Sequence, residues 1–66
     1  MRLNVNGGPQ DHADDATLAD VVAMLTTAPS GVAVALNGVV VPRSSWGDTT
    51  LADDDSVEVL TAVQGG

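Results

Sequence analysis

Two runs of small aliphatic residues separated by Asn-Gly restrict this chain more than anything else in it. Val32-Ala33-Val34-Ala35-Leu36 puts its larger side chains on one face and its alanines on the other, as a half-buried strand does. Asn37-Gly38 follows at once, and both residues tolerate the positive φ that a type I′ turn requires at its two central positions. Val39-Val40-Val41 is then the return strand, and Pro42, which lacks an N–H, ends its pairing. With 66 residues in all, a chain built on this hairpin is expected to form one small domain with a modest core.

The flanking segments supply the rest of a sheet and one helix. Arg2-Leu3-Asn4-Val5-Asn6 alternates, with Leu3 and Val5 on one face, and Gly7-Gly8-Pro9 breaks that strand with turn chemistry. Gln10 to Asp14 reads as a short edge strand, although Asp11, Asp14 and Asp15 dominate it. Thr17 is a preferred helix N-cap, and Asp20 three residues on resembles a capping box. Leu18, Val21, Val22 and Leu25 form one apolar stripe on a helix of two to three turns, which Pro29 and Gly31 close. Residues 43–50 read as irregular, with Trp46 folding back over one end of the core. Asp53-Asp54-Asp55 is a turn, and Ser56 to Val63 is a last strand that holds Val57 and Val59 inward and Glu58 in water. This order predicts an α+β fold of the β-grasp type. Its mixed sheet of four to five strands keeps the last strand central and carries one helix across one face. Residues 1–63 would form the domain and residues 64–66 a flexible tail projecting from it.

Composition narrows the function. Without a cysteine, the chain has no disulfide, no thiol nucleophile and no thiolate metal site. Nine acidic residues against Arg2 and Arg43, with no lysine, give a net charge of −7. Nucleic acid and anionic membranes are therefore poor partners, and the acidity serves solubility or steering towards a basic protein. Asn4 and Asn6 interrupt any apolar leader in Met1–Asn6, and the apolar runs are far too short to span a bilayer, so a cytoplasmic location is expected.

No constellation of side chains supports catalysis. Asp53-Asp54-Asp55 lacks the spaced ligands, glycine and glutamate of a calcium loop and reads as a solvated turn. His12 has no second histidine or cysteine with which to hold a metal. Ser44 and Ser45 sit in no nucleophile elbow, and Gly7-Gly8-Pro9 lacks the lysine and spacing of a phosphate loop. What remains is the terminal Gln64-Gly65-Gly66. A Gly-Gly carboxylate has no side chain near its reacting carbon, so it enters a narrow channel at any φ. Three residues reach about 10 Å, enough to deliver that carboxylate into another protein's active site while the body stays outside. The plain alternative is a frayed, inert tail on an acidic interaction module.

Ala35-Leu36-Asn37-Gly38-Val39-Val40-Val41-Pro42-Arg43-Ser44-Ser45-Trp46 resembles the hairpin and Pro-Arg-x-x-Trp segment of the ThiS family of sulfur carriers in thiamine biosynthesis. Asp53-Asp54-Asp55-Ser56-Val57-Glu58-Val59-Leu60 and the closing Gly65-Gly66 resemble that family's acidic turn, last strand and terminal glycine pair. The resemblance implies a ubiquitin-like carrier that is a consumed and recharged cosubstrate, not an enzyme, and that binds no cofactor of its own. An E1-like adenylyltransferase would use ATP to make an acyl adenylate on the Gly66 carboxylate, with Gly65 and Gln64 as the slender approach. Sulfur, ultimately from cysteine, would then replace AMP, and the thiocarboxylate would pass it to thiazole synthase. It further implies an apolar docking patch including Leu60 and Ala62, rimmed by Glu58, Asp53, Asp54 and Asp55, on a protein that is a monomer when free. Two relatives of the same fold remain open at this point, the small subunit of molybdopterin synthase and a protein-conjugating modifier.

Overall fold

The computed structural model describes residues 1–26 and 31–61. Five strands form one mixed sheet: β1 (Arg2–Val5), β2 (Gly8–Asp11), β3 (Val32–Leu36), β4 (Val39–Val40) and β5 (Ser56–Thr61). Between β2 and β3 lies helix α1 (Leu18–Leu25), and a 3₁₀ helix (Arg43–Asp48) follows β4. The strand order is β2-β1-β5-β3-β4, so the strand nearest the C-terminus is central. It runs parallel to β1, with Val5 beside Val57, and antiparallel to β3, with Val34 beside Val59. That order, with one α-helix among the described residues, is the β-grasp arrangement expected from the order of segments.

The helix begins as its sequence dictates. The Thr17 hydroxyl accepts from the Asp20 N–H at 3.4 Å, and the Asp20 carboxylate accepts from the Thr17 N–H at 2.9 Å. Leu18, Val21 and Val22 are buried in one core with Leu3, Val5, Val34, Trp46, Val57 and Val59. Leu25 departs from the expected stripe and is 39 % exposed. The helix ends there, with the Thr26 N–H capping the Val22 carbonyl at 3.0 Å, so its last turn gains no cover from a following one. Pro29 lies outside the described residues.

Several boundaries move. The first turn is Asn6-Gly7, with φ of 50° and 82°, and Gly8 and Pro9 belong to β2 rather than to the turn. Consequently β2 spans Gly8–Asp11 instead of Gln10–Asp14. Pro9 is tolerated there because β2 is an edge strand and owes no N–H to an outer neighbour. The second turn is Asn37-Gly38, with φ of 50° and 84°, as a type I′ hairpin demands. Its return strand is Val39–Val40, one residue shorter than the valine run, although the Val41 N–H still bonds the Val34 carbonyl at 2.9 Å. Residues 43–48 are a 3₁₀ helix and not an irregular loop. Trp46 does close one end of the core, 7 % exposed, with its indole N–H donating to the Val41 carbonyl at 2.9 Å. The Arg43 guanidinium stands 5.5 Å from the centre of its ring, within cation–π range.

Candidate functional site

The expected tail residues Gln64, Gly65 and Gly66, and Ala62 of the docking patch, lie outside the described residues. What the structure does show is the strand they follow. On its β3 side, β5 is paired from Val57 with Leu36 to Thr61 with Val32. On its β1 side the ladder is extended by a side chain. The Asn6 N–H donates to the Val57 carbonyl at 2.8 Å, after which positive φ turns the chain away into β2. The Asn6 carboxamide then takes over the next rung, accepting from the Val59 N–H at 2.8 Å and donating to the Val59 carbonyl at 3.3 Å.

The other hairpin asparagine secures the opposite end of the same strand. Asn37 accepts from the Ser56 N–H at 2.9 Å and donates to the Asp55 carboxylate at 3.0 Å. Asp55 also accepts from the Ala52 N–H at 2.8 Å. Asp53 accepts from the Arg2 N–H at 2.6 Å, while the Asp54 N–H donates to the Arg2 carbonyl at 2.7 Å. The acidic turn is thus stitched to the start of β1, and two of its three carboxylates hold main-chain donors. The Arg2 side chain is engaged elsewhere, 2.8 Å from Asp11. Its hydrogen bond and its charge hold the Asp11 carboxyl below the usual carboxylate range.

The face of the sheet opposite α1 divides into two halves. Pairing puts Arg2 with Asp11 and Asn4 with Pro9 and Ser56 on the β1–β2 half, a polar surface. On the β3–β4 half, Ala33 pairs with Leu60, and Ala35 pairs with both Glu58 and Val40. Leu60 and Val40 are 66 % and 73 % exposed, large apolar side chains left to solvent. Ala33, Ala35, Val40, Glu58 and Leu60 line a shallow groove of about 80 Å³ floored by Val34. Leu60 and Glu58, predicted to share a docking surface, therefore meet. Asp53, Asp54 and Asp55 do not join them, since the turn precedes β5 and Asp55 lies about 16 Å along the strand from Leu60 at about 3.3 Å per residue. Val40 and the two alanines were not singled out from sequence, although the Asn37-Gly38 turn fixes the register that brings them beside β5.

This is the sheet surface of a small β-grasp protein, with large apolar side chains exposed on it and, among the described residues, no group of His, Cys, Asp and Glu that could hold a metal. A model of the ThiS family matches residues 3–66, and the chain belongs to that family of sulfur carriers in thiamine biosynthesis. A crystal structure of a ThiS thiamine biosynthesis protein from Geobacter metallireducens is 38 % identical, with a TM-score of 0.78 and full coverage of both chains. A solution structure of a thiamine biosynthesis protein from the same organism gives a TM-score of 0.81 at 38 % identity, covering all of this chain and 88 % of that one. A thiazole synthase of Magnetococcus marinus is 36 % identical over 66 residues, and the chain spans 20 % of that relative's length. The uncharacterized protein ycf40 of Pyropia yezoensis is 33 % identical over 66 residues, 93 % of its length.

Proposed function

We propose that the Gly66 carboxylate is this carrier's working group, loaded and unloaded by partners in the cytoplasm. A carboxylate is a poor electrophile, so an E1-like adenylyltransferase first joins one of its oxygens to the α-phosphorus of ATP, and pyrophosphate leaves. A hydrosulfide equivalent then attacks the acyl carbon, the acyl C–O bond to AMP breaks, a proton is lost, and a terminal thiocarboxylate remains. Its sulfur is a softer and stronger nucleophile than the oxygen it replaces, and it is handed to thiazole synthase. The protein is a cosubstrate in this scheme, holding no cofactor, with ATP consumed by the activating partner. At a net charge of −7, copies repel one another, which favours a free monomer.

The observation that carries this reading is the family match, which extends through Gly65 and Gly66. Thiazole synthase as a partner is supported by the Magnetococcus relative of that name, which holds a stretch similar to this whole chain within one polypeptide. Gly65 and Gln64 then give a narrow approach, and Leu60 with Glu58 lies on the strand that leads into them. Deleting Gly66 tests the proposal. The variant should keep the unfolding midpoint of the intact chain and lose ATP–pyrophosphate exchange with the adenylyltransferase of the same genome; retained exchange would refute the terminal chemistry.

A further inference from the structure

The groove between β4 and β5 combines an apolar lining with one carboxylate. Val40, Leu60, Ala33 and Ala35 supply the walls, and Glu58 is its single charged side chain. Among the described residues, the ion pairs are Met1 with Asp14 and Arg2 with Asp11, and neither brings a cation to Glu58. At about 80 Å³ the groove is well below the roughly 300 Å³ at which small-molecule sites begin, so it is sized for a side chain. An apolar trough with one acidic residue in its lining is the complement of a long basic side chain, whose methylene stem covers aliphatic surface while its charged head stays at the water boundary. A second copy of this chain is an unsuitable occupant, because the sequence has no lysine and Arg2 and Arg43 are engaged with Asp11 and Trp46.

We infer that this groove takes one arginine or lysine side chain from the adenylating partner, its stem against Val40 and Leu60 and its cation on Glu58. The inference rests on the sulfur-carrier reading and adds to it the chemistry of the contact. Glu58 then sets specificity: it is a cost on a purely apolar docking patch and a gain only where the partner supplies a cation. Charge-assisted hydrogen bonds are the strong ones in such contacts, and they weaken with salt where exposed.

The discriminating variant is Glu58→Leu, with Glu58→Gln beside it. Glu58 is exposed, so both should fold, as the unfolding midpoint will show. Binding to the adenylyltransferase is measured at low and high salt, with ATP–pyrophosphate exchange followed in parallel. Glu58→Leu should weaken binding about tenfold, and both variants should flatten its salt dependence, as loss of a charge-assisted contact predicts. Tighter binding by Glu58→Leu, or an unchanged salt dependence, would mean an apolar occupant and overturn the inference while leaving the carrier reading intact. Absence of both binding and exchange in the unmodified chain would overturn the carrier reading and this inference with it.

Discussion

Replacing Asn6 by glycine separates its two duties, since glycine keeps the positive φ of the turn and discards the carboxamide that holds Val59. The loss is two hydrogen bonds, at 2.8 and 3.3 Å, to one main-chain residue of the central strand. At a net of about 0.5–1.5 kcal/mol each, Asn6→Gly should cost about 1–3 kcal/mol. A loss of about 2 kcal/mol in a chain of this size lowers Tm by roughly 8–16 °C. Asn6→Ala carries the same loss plus about 1–2 kcal/mol for placing a Cβ in left-handed backbone, so alanine should be worse than glycine. Urea titration followed by Trp46 fluorescence gives both numbers, and amide hydrogen exchange at Val59 reports the site itself. If Asn6→Gly unfolds at the original midpoint, or if alanine and glycine cost the same, the carboxamide does not hold β5 as described.

Val34→Ala removes two methyl groups from a residue 1 % exposed and should cost about 1–3 kcal/mol in the same titration, with an unchanged denaturant slope. An undiminished midpoint would mean that this side chain does not carry core packing. Leu60→Asp should raise the dissociation constant for the adenylyltransferase at least tenfold while the unfolding midpoint moves little, because an exposed anchor matters to binding more than to folding. Equal affinity would take Leu60 out of the docking surface. The Asp11 carboxyl is depressed by its hydrogen bond to Arg2 and then by that charge, so its contribution is fully present above its unfolded value. It is lost as pH falls through the lower folded value, and Asp11→Asn should therefore flatten part of the acid limb of stability against pH; an identical limb would show that the pair is idle.

The parts of the fold legible in sequence are those where one local signal coincides with one tertiary demand. Thr17 with Asp20 and Asn37-Gly38 between two aliphatic runs each had a single reading and stand in the structure, as does the helix stripe at Leu18, Val21 and Val22 but not at its last member, Leu25. The first hairpin failed because its turn signals were crowded. Asn6-Gly7 carries the same dipeptide as the second turn, but Gly8-Pro9 beside it pulled the break outward and pushed β2 into the aspartates. Short 3₁₀ segments such as Arg43–Asp48 have no periodicity long enough to read, and only their packing under Trp46 defines them. Leu60 and Glu58 were legible as a pair because alternation along β5 puts both on the outer face. The groove itself was not, since it depends on Ala35 standing beside both Val40 and Glu58 across two different ladders.

Because β5 is central and flanked on both sides, it is also the strand best placed to bear mechanical load. A pull applied at Thr61 along the axis of β5 meets ladder bonds to β1 and β3 that lie across that axis. The load is therefore shared as shear among many rungs at once, including the Asn6 carboxamide at Val59, and cannot open them singly as it would at a peeled edge. A partner that pulled β5 from its Thr61 end would have to break these rungs together before the sheet opened.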